Sequence, residues 1–124
     1  MDKFIAHILV VDDDHSMLSF ITTALERADH KVTAHSDGKD ALESLKENPD
    51  INLLLTDIVM PGMDGIELSK EAKALNPELK TMFISGFSIN TADAKTKISF
   101  KGNLMAKPFH LKDLIAQVET LLKE

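Results

Sequence analysis

Ile8 to Val11 is a short apolar run that stops at three aspartates, Asp12 to Asp14, and the same grammar recurs down the chain: an apolar stretch, a polar stop, then apolar residues at helical spacing. Ala6 to Val11 reads as a strand buried on both faces. Met17, Leu18, Ile21, Leu25 and Ala28 follow at three- and four-residue steps, with Asp13 or Asp14 placed to cap the helix they predict. Lys31 to His35 reads as a second strand, and Ala41, Leu42 and Leu45 as one face of a helix closed by Asn48-Pro49-Asp50. Ile51 to Thr56 predicts a third strand that ends at Asp57. A Met60-Pro61-Gly62 turn then leads to a helix from about Asp64 to Leu75, stopped by Asn76-Pro77. Leu79 to Ser85 and Asn103 to Ala106 read as the fourth and fifth strands. Leu111, Leu114, Ile115, Val118, Leu121 and Leu122 give the clearest amphipathic helix, and the weakly patterned Ser88 to Lys101 has room for one more short helix. Strands alternating with helices over short connections predict an α/β fold, a five-stranded parallel sheet with helices on both faces.

Composition narrows the class. The 124 residues, 44% of them apolar, suit one domain with one core, and residues 1–124 show no repeat or linker to divide them. Without cysteine there is no disulfide, thiolate metal site or Cys nucleophile, so metal chemistry is left to oxygen and imidazole ligands. The apolar runs are too short for a membrane helix, and acidic residues follow too soon for a signal peptide, which makes the cytoplasm the expected location. Net charge −6 with a single arginine, Arg27, argues against a basic nucleic-acid face. The six methionines are expected to fill gaps in packing, and His15 and His110 to begin helices.

In parallel α/β sheets functional groups gather beyond the carboxyl ends of the strands. Those ends carry Asp12, Asp13 and Asp14, then Asp57, Ser85 and Lys107. Two unit charges 4 Å apart repel by about 4 kcal/mol at a typical effective dielectric, so clustered carboxylates call for a cation. All-oxygen ligands favour Mg²⁺ (or Mn²⁺), and a divalent ion, an ammonium and a hydroxyl around one carboxylate suit phosphoryl transfer with Asp57 as nucleophile. Taken singly, each residue has a plainer use: a helix cap for the aspartates, a turn at Asp57 or Lys107-Pro108, a strand exit at Ser85-Gly86. Their joint occurrence at four strand ends is what points to a phosphoacceptor site.

Ile8-Leu-Val-Val-Asp12-Asp13-Asp14, Leu55-Thr-Asp57-Ile-Val-Met60-Pro61-Gly-Met-Asp64-Gly65, Ile84-Ser85-Gly86 and Lys107-Pro108-Phe109 together resemble the receiver domain of two-component response regulators, over essentially the whole chain. That resemblance implies a flavodoxin-like (CheY-like) (βα)5 fold with strand order 2-1-3-4-5. It implies that Asp57 takes phosphate from a sensor histidine kinase or histidine phosphotransfer protein. Asp12, Asp13, Asp57 and the Val59 carbonyl would hold Mg²⁺, Lys107 would pair with the phosphoryl oxygens, and Ser85 would supply the switching hydroxyl. A cis peptide is expected between Lys107 and Pro108. Asp57-Ile-Val-Met-Pro, Met63-Asp-Gly-Ile-Glu-Leu, Phe83-Ile-Ser-Gly-Phe and Lys107-Pro-Phe-His-Leu are similar to CpdR-type stand-alone receivers of alphaproteobacteria. That type lacks an output domain and is linked to cell-cycle control and regulated proteolysis, which implies a downstream, protease-linked protein partner.

Two positions depart from the family pattern. Leu104 stands where many receivers carry an aromatic ring, and the chain has no tyrosine, which leaves Phe87 or Phe100 as the only candidate rings for an aromatic switch. The two positions flanking the path of attacking water are apolar, Val59 and Phe87, and predict slow self-dephosphorylation. The output surface is expected around Phe87, Leu104 and Ser88 to Lys101. Other functions fit less well. An aspartate-nucleophile phosphohydrolase generally has an acid two residues after the nucleophile, where this chain has Val59, and three aspartates after strand one would repel a flavin phosphate. A receiver-shaped scaffold working without phosphate would not need the complete acid, lysine and hydroxyl set. The chain is therefore expected to be a signalling protein and not an enzyme beyond its own phosphorylation and dephosphorylation.

Overall fold

The computed structural model describes residues 5–85, 103–107 and 109–123. Along the chain come β1 (His7–Val11), α1 (His15–Arg27), β2 (Lys31–His35), α2 (Gly38–Glu47), β3 (Leu53–Asp57), α3 (Gly65–Leu75), β4 (Lys80–Ser85), β5 (Leu104–Ala106) and α4 (Leu111–Lys123). All strands pair in parallel, in the order β2-β1-β3-β4-β5. The predicted fold class and strand order are thus observed. The expected helix within residues 88–101, Phe87, Phe100 and the Lys107–Pro108 peptide lie outside the described residues.

Side chains alternate across a strand, and the central strands β1 and β3 are buried throughout because both of their faces are covered. Ile8, Val10, Leu53, Leu55, Met82 and Ile84 point to one layer and pack with Ile21 and Leu25 of α1 and Leu114 and Val118 of α4. Leu9, Val11 and Leu54 point to the other, with Ala41 and Leu45 of α2 and Leu68 and Ala72 of α3. Each large side chain so buried is worth about 1.5–3 kcal/mol. Three helices begin on an aspartate cap: Asp14 accepts from the Ser16 and Met17 N–H, Asp37 from Asp40, and Asp64 from Glu67. Each cap contributes about 1 kcal/mol. His15 opens α1, and the His110 carbonyl receives the first backbone bonds of α4, as expected of both.

Strand starts differ from expectation by one or two residues. Ala6 and Ile51 are buried, but their N–H groups go to the His30 ring and the Asn48 carbonyl, so burial extends past the ladder at the base of the sheet. The same base carries a buried histidine pair of contacts: His7 bonds Asp50 through Nδ1 at 2.9 Å and Thr33 through Nε2 at 2.7 Å. The His7 hydrogen bond holds the exposed Asp50 carboxyl below its ordinary value of 3.8. A carboxyl lowered on folding stabilises the fold above its unfolded value, and that contribution disappears as pH falls through the folded one. Asp50→Asn is therefore expected to unfold at lower urea than wild type near neutral pH, with the two curves merging in acid. Midpoints measured across pH check this, and a gap that persists in strong acid would contradict it.

Candidate functional site

The sheet ladder lays the candidate residues out in a row. Val11 pairs with Thr56, Asp57 with Ile84, and Ser85 with Ala106, so Asp12, Asp57, Ser85 and Lys107 each sit at or one step beyond a strand end. Two further bonds continue the ladder past the strands, from Ile58 N–H to the Ile84 carbonyl at 3.0 Å and from Lys107 N–H to the Ser85 carbonyl at 2.7 Å. The sequence signal was an aspartate or lysine after an apolar run, and parallel pairing converts it into proximity.

Asp12 is almost fully buried, at 1% exposure, and Asp57 nearly so at 7%. Asp13 is exposed beside them, and the three carboxylates offer oxygens within 4.8 Å of one another. Lys107 lies between the two buried acids, with Nζ 3.3 Å from Asp12 Oδ2 and 3.7 Å from Asp57 Oδ2. The other Asp12 oxygen, Oδ1, accepts the Asp14 N–H at 2.9 Å, and the Asp12 N–H donates to the His35 carbonyl at 3.2 Å. Burial pushes the Asp57 carboxyl up, and the Asp12 charge pushes it further, while Lys107 and a bond from the Val59 N–H oppose them. Asp57 is therefore a carboxylate whose charge is under-compensated by its surroundings.

Two residues whose role motif reading left blank also shape this centre. A Cβ added to Gly65 would lie 2.1 Å from the Asp57 carbonyl oxygen, so the first turn of α3 approaches the site as only glycine allows. Thr56 Oγ1 donates to the same carbonyl at 2.9 Å. Ser85 is buried at 2% exposure at the end of β4. Val59 is 51% exposed. Leu104, at the start of β5, is half-buried against Phe83, Ile58 and Ile66, filling with an aliphatic group the place where a ring was in question.

The sequence profile described as "Response regulator receiver domain" matches residues 8–119. The chain belongs to that family. As a receiver, it is 44% identical over 115 residues to the "Response regulator receiver protein CpdR" of Brucella abortus, covering 93% of this chain and 95% of that one. It is 29% identical over 120 residues to the "Sensor kinase CckA" of the same organism, of which it spans 13%. The crystal structure of a response regulator receiver domain protein from Clostridium thermocellum superposes with a TM-score of 0.83 at 25% identity, over 96% of this chain and 95% of that one.

The residues of this receiver fit the divalent cation its family implies. Their donors are all carboxylate oxygens, the choice of a hard cation, and among the described residues Lys107 is the one ammonium paired with Asp12 and Asp57, too little to offset three negative charges. No described helix is long and apolar enough to cross a membrane.

Proposed function

We propose that Asp57 is the phosphoacceptor of a phosphorelay, charged by the phosphohistidine of a sensor kinase or phosphotransfer protein and read out by contact with a separate protein in the cytoplasm. The observation that carries this reading is the pairing of one buried, under-compensated carboxylate with two further acids and a lysine at adjoining strand ends. Similarity to a CpdR receiver supports signalling through a receiver, and the protease-linked kind of partner rests on the CpdR-type motifs around Asp57, Met63, Phe83 and Lys107.

An Asp57 oxygen attacks phosphorus, and the bond from phosphorus to the donor nitrogen breaks with its electron pair leaving on that nitrogen. The Lys107 ammonium, already within 4 Å of Asp57, is placed to meet the charge that spreads over the phosphoryl oxygens. Burial keeps water from the acyl phosphate that forms. Asp12, Asp13, Asp57 and the Val59 carbonyl would hold Mg²⁺, which supplies charge neutralisation between carboxylates and phosphoryl group. The Ser85 hydroxyl would then bond a phosphoryl oxygen and carry the change in charge to the neighbouring β5, shifting a pre-existing equilibrium of the surface around Leu104.

Incubation with Mg²⁺ and a small phosphodonor such as acetyl phosphate, read by intact mass, tests the assignment. Wild type is expected to gain one phosphoryl group and Asp57→Ala none. A gain that survives the substitution, or no gain on wild type, would overturn it.

The lifetime of the phosphorylated form is a separate expectation. Val59 is half exposed beside Asp57 and has no polar atom in its side chain to orient an attacking water. Self-dephosphorylation is expected to be slow, and Val59→Asn to accelerate it about tenfold. A decay rate unchanged in Val59→Asn would count against the mechanism.

A further inference from the structure

Asp12 has two uses in this site, as a proposed cation ligand and as the nearer partner of Lys107, and its backbone extends the β1–β2 ladder by one rung. Its N–H donates to the carbonyl of His35, the last residue of β2. β2 is an edge strand, hydrogen-bonded to β1 on one side only. The carboxyl end of an edge strand is where a ladder frays most readily, and fraying here would release Asp12. The His35 side chain counters this: its Nε2 is hydrogen-bonded to the hydroxyl of Ser44, a buried residue of α2. Ser44 thus directs its hydroxyl to the strand beneath it. A continuous chain of hydrogen bonds results, from Ser44 to the His35 ring, from the His35 carbonyl to the Asp12 N–H, and from the Asp12 carboxylate to the Asp14 N–H and Lys107.

We propose that His35 is a positioning residue for the cation site, pinned by Ser44 so that its carbonyl holds Asp12 in ligating position. The proposal rests on Asp12 as a metal ligand. It assigns to the β2–α2 side of the domain a share in cation affinity that no motif residue records. Outer-shell partners of metal ligands typically change affinity by about ten- to a hundredfold, and His35 acts through a backbone bond one step further out, so a loss of about three- to tenfold is expected.

The chain has no Trp or Tyr to report by fluorescence, so Mg²⁺ alone is titrated and followed by backbone amide NMR, with amide exchange measured on the same samples. Ser44→Ala is the primary variant. Alanine is the better helix former, so α2 is not weakened by propensity, and only the bond to His35 is lost. Ser44→Ala and His35→Ala are each expected to weaken Mg²⁺ binding about three- to tenfold and to speed exchange of the Asp12 amide, while the Leu54 amide stays protected. The double variant should be no worse than either single one, because both remove the same bond. Ser44→Thr, which keeps the hydroxyl, should bind Mg²⁺ as wild type does. The proposal is overturned if Ser44→Ala binds Mg²⁺ within about twofold of wild type, if the two losses multiply in the double variant, or if wild type shows no saturable Mg²⁺ response. The expected pattern in a protein that takes up no phosphoryl group would uphold the positioning role and overturn only the phosphoacceptor assignment.

Discussion

Asp57→Asn is expected to melt above wild type near neutral pH while losing all phosphoryl uptake. Burial and the neighbouring Asp12 charge raise the Asp57 carboxyl above its ordinary value of 3.8, so the folded chain binds that proton more tightly than the unfolded chain does. A group shifted in this direction favours folding while protonated. Its ionisation therefore erodes stability as pH rises from the unfolded value through the folded one. Removing the charge should therefore raise the Tm. The advantage should vanish in acid, where wild-type Asp57 is protonated folded or unfolded. It should also narrow when Mg²⁺ is added, because the ion stabilises the wild-type site selectively. Thermal melts of both proteins across pH, with and without Mg²⁺, check each part. An asparagine variant no more stable than wild type near neutrality would refute the electrostatic account of the site.

Gly65→Ala is expected to damage stability and phosphorylation together. A methyl group there would sit 2.1 Å from the Asp57 carbonyl oxygen and 2.9 Å from both the carbonyl carbon and the Ile58 Cα, all of them backbone atoms. No side-chain rotation relieves such a contact, so either α3 moves outward or the end of β3 moves inward. Overpacking of this kind costs about 1–3 kcal/mol and occasionally more. The Gly65 N–H also donates to the Ile58 carbonyl at 2.8 Å, so displacement strains that bond as well. If the end of β3 yields, Asp57 moves with it, and a shift of about 1 Å should slow phosphoryl transfer by up to a hundredfold. Urea denaturation and the initial rate of mass gain measure the two effects. A variant that loses stability but keeps its rate would show that α3 yields and β3 does not.

The contrast between these two residues marks how far the sequence could be read. Asp57 was visible because a charged residue ends a continuous apolar run, and parallel pairing brings the ends of such runs together. Asp12 and Lys107 were legible for the same reason, as was the strand order once the motifs were recognised. Gly65 stood in plain sight in the Asp64-Gly65 pair, but its necessity arises from a contact with a backbone eight residues earlier in the chain, and no periodicity reports such an approach. His35 and Ser44 were more hidden still. A histidine in a strand and a serine in the next helix are unremarkable apart, and only tertiary packing aligns the ring with the hydroxyl. His7 and Asp50, 43 residues apart, were silent for the same reason. Strand starts drifted for a different cause: Ala6 and Ile51 are as apolar as ladder residues but bond elsewhere.

Lys107, a cation that tempers both buried acids, follows directly on β5, a strand of three residues that is the outermost of the sheet among the described residues. Short edge segments open locally at a fraction of the cost of global unfolding. An opening of β5 would withdraw the ammonium that now stands 3.3 Å from Asp12 and 3.7 Å from Asp57. Thermodynamic reciprocity makes the converse hold: whatever changes the charge on Asp57 must change the docking equilibrium of β5 by the same free energy.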